Sequence, residues 1–286
     1  MMPLQFHEKF VKNNKILKIS HVNFRYQFDH VFNPSQNNRV VYEKIAFNVI
    51  ESAIDGYNST IFAYGQTSSG KTHTMMGTPN DKGIIREAVE HIYDAIEDME
   101  DERIFSLRVS FIEIYNEKIS DLLDPKDRDK TIKVEDDADG NGNVKNIIER
   151  EVSTAEEVIK AMEEGQKFRH VSATAMNERS SRSHTIFCIT IASQDKQAYE
   201  NGEGNEDGRA IKVSHLNLVD LAGSERVSQT GATGQTQREG TKTLKLVDFV
   251  LFVDFVDLVD FVHFVDFDDF VIFLFFFTFF RLCYVL

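Results

Sequence analysis

Along residues 1–240 the apolar positions switch repeatedly between a period near two and a period near 3.6, which predicts an alternating α/β domain. Residues 16–19 and 24–28 carry short strand-like patterns. Over residues 40–54, Val41, Ile45, Val49 and Ile54 fall near helical spacing, the mark of an amphipathic helix. Residues 60–64 form a compact β-branched and aromatic run, read as a buried strand. Residues 83–99 are helical by spacing through Ile85, Val89, Ile92 and Ile96, and residues 105–115 alternate Leu107, Val109 and Phe111 as a strand does. Thr154-Ala155-Glu156-Glu157 is a capping box opening a helix that Gly165 is expected to end. Residues 183–193 and 211–221 are two further apolar strands joined by the polar loop 194–208. The alternation predicts a largely parallel central sheet covered by helices on both faces.

The pattern breaks after residue 241. Valine recurs at 247, 250, 253, 256, 259, 262 and 265 with Asp and Phe in register, and a strict period of three fits neither helix nor strand. More than half of the chain's 24 Phe lie in residues 242–286. The apolar run 270–280 is shorter than the roughly 20 residues that span a bilayer, and Arg281 interrupts it, so no membrane anchor is expected. The chain thus divides into a domain over 1–241 and a low-complexity tail over 242–286 with no evolved fold.

Composition adds limits rather than identity. A length of 286 residues suits one large domain with a substantial core. Two cysteines exclude a disulfide framework and point to a reducing compartment, and no secretory leader pattern opens the chain. A formal net charge of −14 argues against nucleic-acid binding, whose footprint is a strong basic patch. The same charge sits awkwardly with any acidic partner, although a local cationic face is compatible with it.

The chemistry begins at Gly65-Gln66-Thr67-Ser68-Ser69-Gly70-Lys71-Thr72, which fits the phosphate-loop pattern between a readable strand and a readable helix. The glycines let successive N–H groups turn toward one anion. Lys71 supplies a compact positive charge for the β and γ phosphates, Thr72 a hydroxyl for Mg²⁺, and the following helix its positive end. Two more segments narrow the nucleotide chemistry. Residues 177–184, Asn177-Glu178-Arg179-Ser180-Ser181-Arg182-Ser183-His184, pack hydroxyls, guanidinium groups and an imidazole just before a strand. Asp220-Leu221-Ala222-Gly223-Ser224-Glu225 closes another strand, with Asp220 placed to hold Mg²⁺ through water.

These stretches resemble the kinesin family. Ile61-Phe62-Ala63-Tyr64-Gly65 through Lys71-Thr72-His73-Thr74-Met75 is similar to the kinesin phosphate loop with its flanks, residues 177–184 to the first switch, and residues 220–225 to the second. Ile112-Glu113-Ile114-Tyr115-Asn116-Glu117 and Asp121-Leu122-Leu123 resemble the strand and helix kinesins carry between them. The resemblance covers roughly residues 24–241, and its nearest flavour is the centromere-associated branch. It implies a phosphate-loop NTPase fold, ATP as substrate with Mg²⁺, and microtubules as partner, in the cytoplasm on the cytoskeleton. It further implies that Ser181 approaches Mg²⁺ and the γ-phosphate, with Asn177 and Ser180 also near phosphate. Gly223 would offer its amide to the γ-phosphate, Arg182 and Glu225 would form a pocket-closing salt bridge, and His73 would pack by the adenine.

Departures from the family pattern set a second expectation. No proline follows an arginine, so the adenine-packing Arg-x-Arg-Pro run is absent. After Arg238-Glu239-Gly240, Lys242-Thr243-Leu244-Lys245 stands where the filament-binding helix with its Asn-x-Ser-Leu run should begin. The later strands, the neck linker and the stalk through which a parent protein would homodimerise are also missing from the pattern. The alternative is therefore a truncated, catalytically impaired motor-like fragment with weak or no nucleotide and filament binding, an incomplete core and exposed sheet edges.

Rival constellations fail on particulars. Asp137-Ala138-Asp139-Gly140-Asn141-Gly142 opens like a calcium loop, but its twelfth position is Ile148, and a hairpin turn on Asp-Gly and Asn-Gly explains it better. No Asn-Lys-x-Asp run reads guanine, no cysteine cluster suggests zinc, and the acidic run 97–102 reads as a solvated helix end.

Overall fold

A computed structural model describes residues 9–11, 14–18, 25–116, 118–124, 131–136, 142–173, 181–200, 211–224, 271–276 and 280–285. Strands β1 (Lys9–Val11), β2 (Asn14–Lys18) and β3 (Arg25–Phe28) form a small antiparallel sheet, followed by β4 (His30–Phe32). The helix expected over 40–54 starts two residues earlier and runs as three pieces: α1 (Asn38–Val41), a π-helical turn (Tyr42–Ala46) and α2 (Phe47–Ile54). Asn37 caps it, its side-chain oxygen accepting from the Val40 amide at 3.2 Å.

Next come β5 (Ser59–Gly65), α3 (Lys71–Met76), the small pair β6 (Gly77–Thr78) and β7 (Asp81–Lys82), and α4 (Ile84–Asp98). Strand β5 is buried at every position, including Ser59 and Thr60 ahead of its apolar run 61–64. In α4, Ile84, Ile85, Ala88, Val89 and Ile92 repeat at helical spacing and are buried on one face. There follow β8 (Arg103–Tyr115), β9 (Lys118–Asp121), the antiparallel pair β10 (Lys133–Asp136) and β11 (Gly142–Lys145), and β12 (Arg150–Val152). The β10–β11 pair agrees with the expected hairpin, although residues 137–141 lie outside the described residues.

Helix α5 (Ala155–Ala173) opens at Thr154, where the expected capping box forms with its return bond shifted by one residue to Ser153. Thr154 Oγ1 accepts from the Glu157 amide at 3.2 Å, and the Glu157 carboxylate accepts from the Ser153 amide at 2.7 Å. Gly165 does not end this helix, contrary to expectation. It sits mid-helix because a Cβ there would lie 2.4 Å from Phe111 Cδ1, so the helix approaches the sheet too closely for a side chain. The remaining elements are β13 (His184–Asp195), α6 (Lys196–Glu200), β14 (Lys212–Asp220), β15 (Val271–Phe276) and β16 (Phe280–Val285). Part of the expected 194–208 loop is thus strand and helix.

The main sheet runs β12-β8-β13-β14-β5-β15-β16-β4, with β9 also paired to β8. Its pairing is mixed, not largely parallel: only β14–β5 and β16–β4 are parallel. The chain reverses through β9 to β12 before α5, so the helix between β8 and β13 does not make a parallel crossover. The edge of β5 is also not exposed. Strand β15, from the periodic tail, pairs with it from Val271 opposite Gly65 to Phe276 opposite Thr60.

The sheet's odd-numbered core positions face the helices. Ile61, Ala63, Leu107, Val109, Phe111, Phe187, Ile189 and Ile191 cluster with residues of α2, α4 and α5, joined by Leu216 and Leu218 of β14. Phe62, Ile112, Ile114, Ile186 and Val219, on the opposite face, are buried as well. The ends of β5 and β14 are buried on both faces, and the candidate site lies there.

Candidate functional site

Strand β5 releases its chain at Gly65 into a loop that returns as α3. Gly70, at φ 101°, takes the left-handed conformation that glycine adopts without strain, and Ser68 is forced into the same region at φ 67°. These turns bend the backbone around the side chain of Lys71, which is 7% exposed. Its Nζ donates to the carbonyls of Gly65 at 2.8 Å and Gln66 at 2.7 Å. Gln66, Thr67, Ser68 and Ser69 therefore form a cradle with a single ammonium at its floor.

Asp220 ends β14 beside this cradle, because β14 runs parallel to β5 with Asp220 opposite Ala63. Its Oδ2 accepts from Thr72 Oγ1 at 2.6 Å and lies 3.4 Å from an Arg169 guanidinium nitrogen. Its Oδ1 is buried and has no hydrogen-bond partner among the described residues. An orphaned carboxylate oxygen beside a threonine hydroxyl fits a hard, oxygen-seeking cation such as Mg²⁺, which takes few protein ligands and keeps several waters. Among the described residues no three His, Cys, Asp or Glu side chains cluster, so the cation would depend on these two residues and on phosphate oxygens. The buried ammonium and the left-handed loop likewise fit a polyphosphate.

Four consecutive amides of the segment after β14 knit three stretches together. Leu221 N–H donates to Ala63 O at 3.3 Å, Gly223 N–H to Ser181 O at 2.8 Å, and Ser224 N–H to Gly65 O at 3.1 Å. Between them, the Ala222 N–H donates to His184 Nδ1 at 3.1 Å. Burial, with Arg169 and Lys71 adding to it, holds the His184 imidazole down to about 3, so it is neutral with its proton on Nε2.

The structure brings some of the expected site residues together and leaves others apart. Residues 65–72, Ser181, Asp220 and Gly223 share one region, while Arg182 is exposed beside it. Gly223, expected to point its amide at a γ-phosphate, gives it to Ser181 O. His73 is half-exposed, with Nε2 3.9 Å from Asp81 Oδ2. Asn177, Ser180 and Glu225 lie outside the described residues, and so does the expected Arg182–Glu225 pair.

Arg169 escaped notice. It is 3% exposed, donates to Ser183 O at 3.2 Å and to Ser183 Oγ at 3.3 Å, and lies 3.7 Å from Glu113 Oε1. A signal existed: Val158, Met162, Gly165 and Arg169 share one stripe of α5, and a charge on a buried stripe needs buried partners. Those partners, Glu113 and Asp220, sit on β8 and β14, so spacing along the chain conceals them.

Comparisons with known proteins agree with this fold. Residues 4–246 match the Kinesin motor domain, a longer stretch than the motifs alone covered. The chain is 49% identical over 207 residues to Centromere-associated protein E of Homo sapiens, covering 72% of this chain and 7% of that protein. It is 46% identical over 205 residues to Kinesin-like protein KIN-7N of Arabidopsis thaliana, covering 72% of this chain and 24% of that one. The solved structure of a fast kinesin, described for its ATPase mechanism and interactions with microtubules, superposes with a TM-score of 0.72 at 36% identity, over 84% of this chain and 66% of that one. The chain therefore spans 7% and 24% of the length of the two curated relatives. With this fold, this cradle and this match across most of its length, the chain belongs to the kinesin motor domain family.

Proposed function

We propose that the chain hydrolyses ATP with Mg²⁺ and couples that hydrolysis to movement along microtubules. The observation that carries this reading is the junction of Lys71, Thr72 and Asp220 with the amide run 221–224. Three segments distant in sequence meet where a triphosphate would end. In phosphoryl transfer, positioning and charge stabilisation supply most of the rate. Residues 65–70 would wrap the β-phosphate, and Lys71 would exchange its contacts with Gly65 O and Gln66 O for phosphate oxygens. Thr72 and Asp220 would hold Mg²⁺, Asp220 through water, with Ser181 beside them. Bound there, Mg²⁺ neutralises charge on the phosphates and orients them.

Release of the Gly223 amide from Ser181 O would free that donor for the γ-phosphate, so that γ-phosphate binding and loss change how residues 181 and 223 are joined. Arg182 and Glu225 are proposed to pair over the pocket and order the attacking water. Asn177 and Ser180 would line the phosphates and His73 the adenine.

The place of action on this reading is the cytoplasmic microtubule cytoskeleton, with a homodimer formed by a stalk outside this chain and no nucleic-acid or membrane partner. No described helix is long and apolar enough to cross a membrane. Residues 1–241 would form the motor part and 242–286 the periodic tail. A second reading, an impaired motor-like fragment, is favoured by Lys242-Thr243-Leu244-Lys245 standing in place of the filament-binding run.

The test measures ATP turnover with and without microtubules. Turnover that rises with microtubules and falls at least about 100-fold in Lys71→Ala supports the motor. Fluorescent ADP bound without any microtubule response selects the fragment. No nucleotide binding at all overturns the motor reading and leaves the fragment.

A further inference from the structure

His184 sits in the motif 177–184, yet none of the roles above uses it. It is 4% exposed, heads β13, and is the one side chain in the ladder of four amides that ties residues 221–224 to their neighbours. The other three amides reach backbone carbonyls. Ser181 O and His184 Nδ1 together hold two successive amides, those of Gly223 and Ala222. One of these bonds, Gly223 to Ser181, must open if that amide is to serve a γ-phosphate. The bond from Ala222 has no such reason to open.

We propose that His184 is a positioning residue whose Nδ1 pins the Ala222 amide, so that Gly223 swings between Ser181 O and the γ-phosphate about a fixed point. This inference rests on the ATP-hydrolysing reading and adds the pivot to it. A backbone carbonyl in place of Nδ1 would move with its own strand. A ring fixed inside β13, with its acceptor nitrogen directed at one amide, holds that amide while Ser181 on the same segment moves. Only the neutral ring with its proton on Nε2 can accept here, and burial beside Arg169 and Lys71 maintains that form.

The test compares His184→Asn, His184→Gln and His184→Ala in the full chain. Asparagine places Oδ1 close to where Nδ1 stood, whereas glutamine carries its oxygen toward the Nε2 position. Two readouts are needed: exchange of the Ala222 amide with deuterium, and microtubule-stimulated turnover alongside affinity for fluorescent ADP. The expected result is slow Ala222 exchange in wild type and His184→Asn and fast exchange in His184→Gln and His184→Ala. Turnover should fall about tenfold or more in the last two, with ADP affinity held within about threefold and restored kcat in His184→Asn.

Equal loss of turnover in the asparagine and glutamine variants overturns the pivot, as does slow exchange in all three. Should wild type show no turnover, the ATPase reading fails, and the exchange pattern alone still decides whether Nδ1 pins residue 222.

Discussion

Lys71 and Arg169 are both buried cations within reach of Asp220's surroundings, and their chemistry differs. Lys71 carries a point charge on a flexible stem, held by two carbonyls that it would trade for phosphate oxygens on the proposed reading. Arg169 is a planar fork fixed between Glu113, Ser183 and Asp220. Arg169→Met should leave two buried carboxylates poorly compensated, lowering unfolding free energy by about 3–5 kcal/mol in urea titrations. Arg169→Lys should recover only part of that loss, because an ammonium cannot span all three partners. Ser68 makes a smaller test. Its φ of 67° strains an L-residue, so Ser68→Gly should hold or raise stability by up to about 1 kcal/mol, read from the same titrations. Sequence alone marked Lys71, since its motif is contiguous. It did not mark Arg169, whose only local signal is a charge on an apolar stripe of α5.

Helices and strands were legible wherever a period ran unbroken. Helix α4 and strands β5 and β8 lie within a few residues of their expected positions because local spacing and burial agree there. The departures at Gly165 and inside the helix expected over 40–54 share a cause in packing. At Gly165 a close approach to Phe111 overrode the local preference for a helix end. Gly165→Ala would push a methyl into a ring that meets Phe187 edge-on with centroids 5.3 Å apart. Overpacking of this kind should cost about 1–3 kcal/mol, seen as a lower Tm with unchanged helix content. In the helix over 38–54, Phe47 N–H reaches Tyr42 O five residues back, inserting a π turn. On that turn Tyr42 Oη meets His91 Nδ1 at 2.6 Å, a contact between elements that helical spacing does not predict.

Across the whole molecule, stability and charge depend on what the fold buries. His184 is held to about 3 when folded, against about 6.5 for a free imidazole, so the unfolded chain binds the extra proton between those values. Stability from this group is therefore full above pH 6.5 and is lost as pH falls toward 3, at up to about 1.4 kcal/mol per pH unit. Wild type should lose stability more steeply than His184→Asn between about pH 6 and pH 4.5, as measured by denaturant titration at each pH. The net charge of −14 makes a second prediction for the molecule as a whole. If microtubules stimulate turnover, a local cationic face must carry the contact, and stimulation should fall as salt rises through about 0.15 M.

By itself the sequence determined the cradle, the strand before it, the helices whose apolar stripes repeat, and the two motifs proposed to complete a nucleotide site, because each is written in consecutive residues whose geometry is local. Tertiary structure alone decided the mixed order of the sheet, the Glu113–Arg169–Asp220 array and the choice of Ser181 O and His184 Nδ1 as acceptors for neighbouring amides. Those depend on which strands lie side by side. Strand order follows from burying both faces of the sheet at once, a condition on the whole chain that no short window of residues contains.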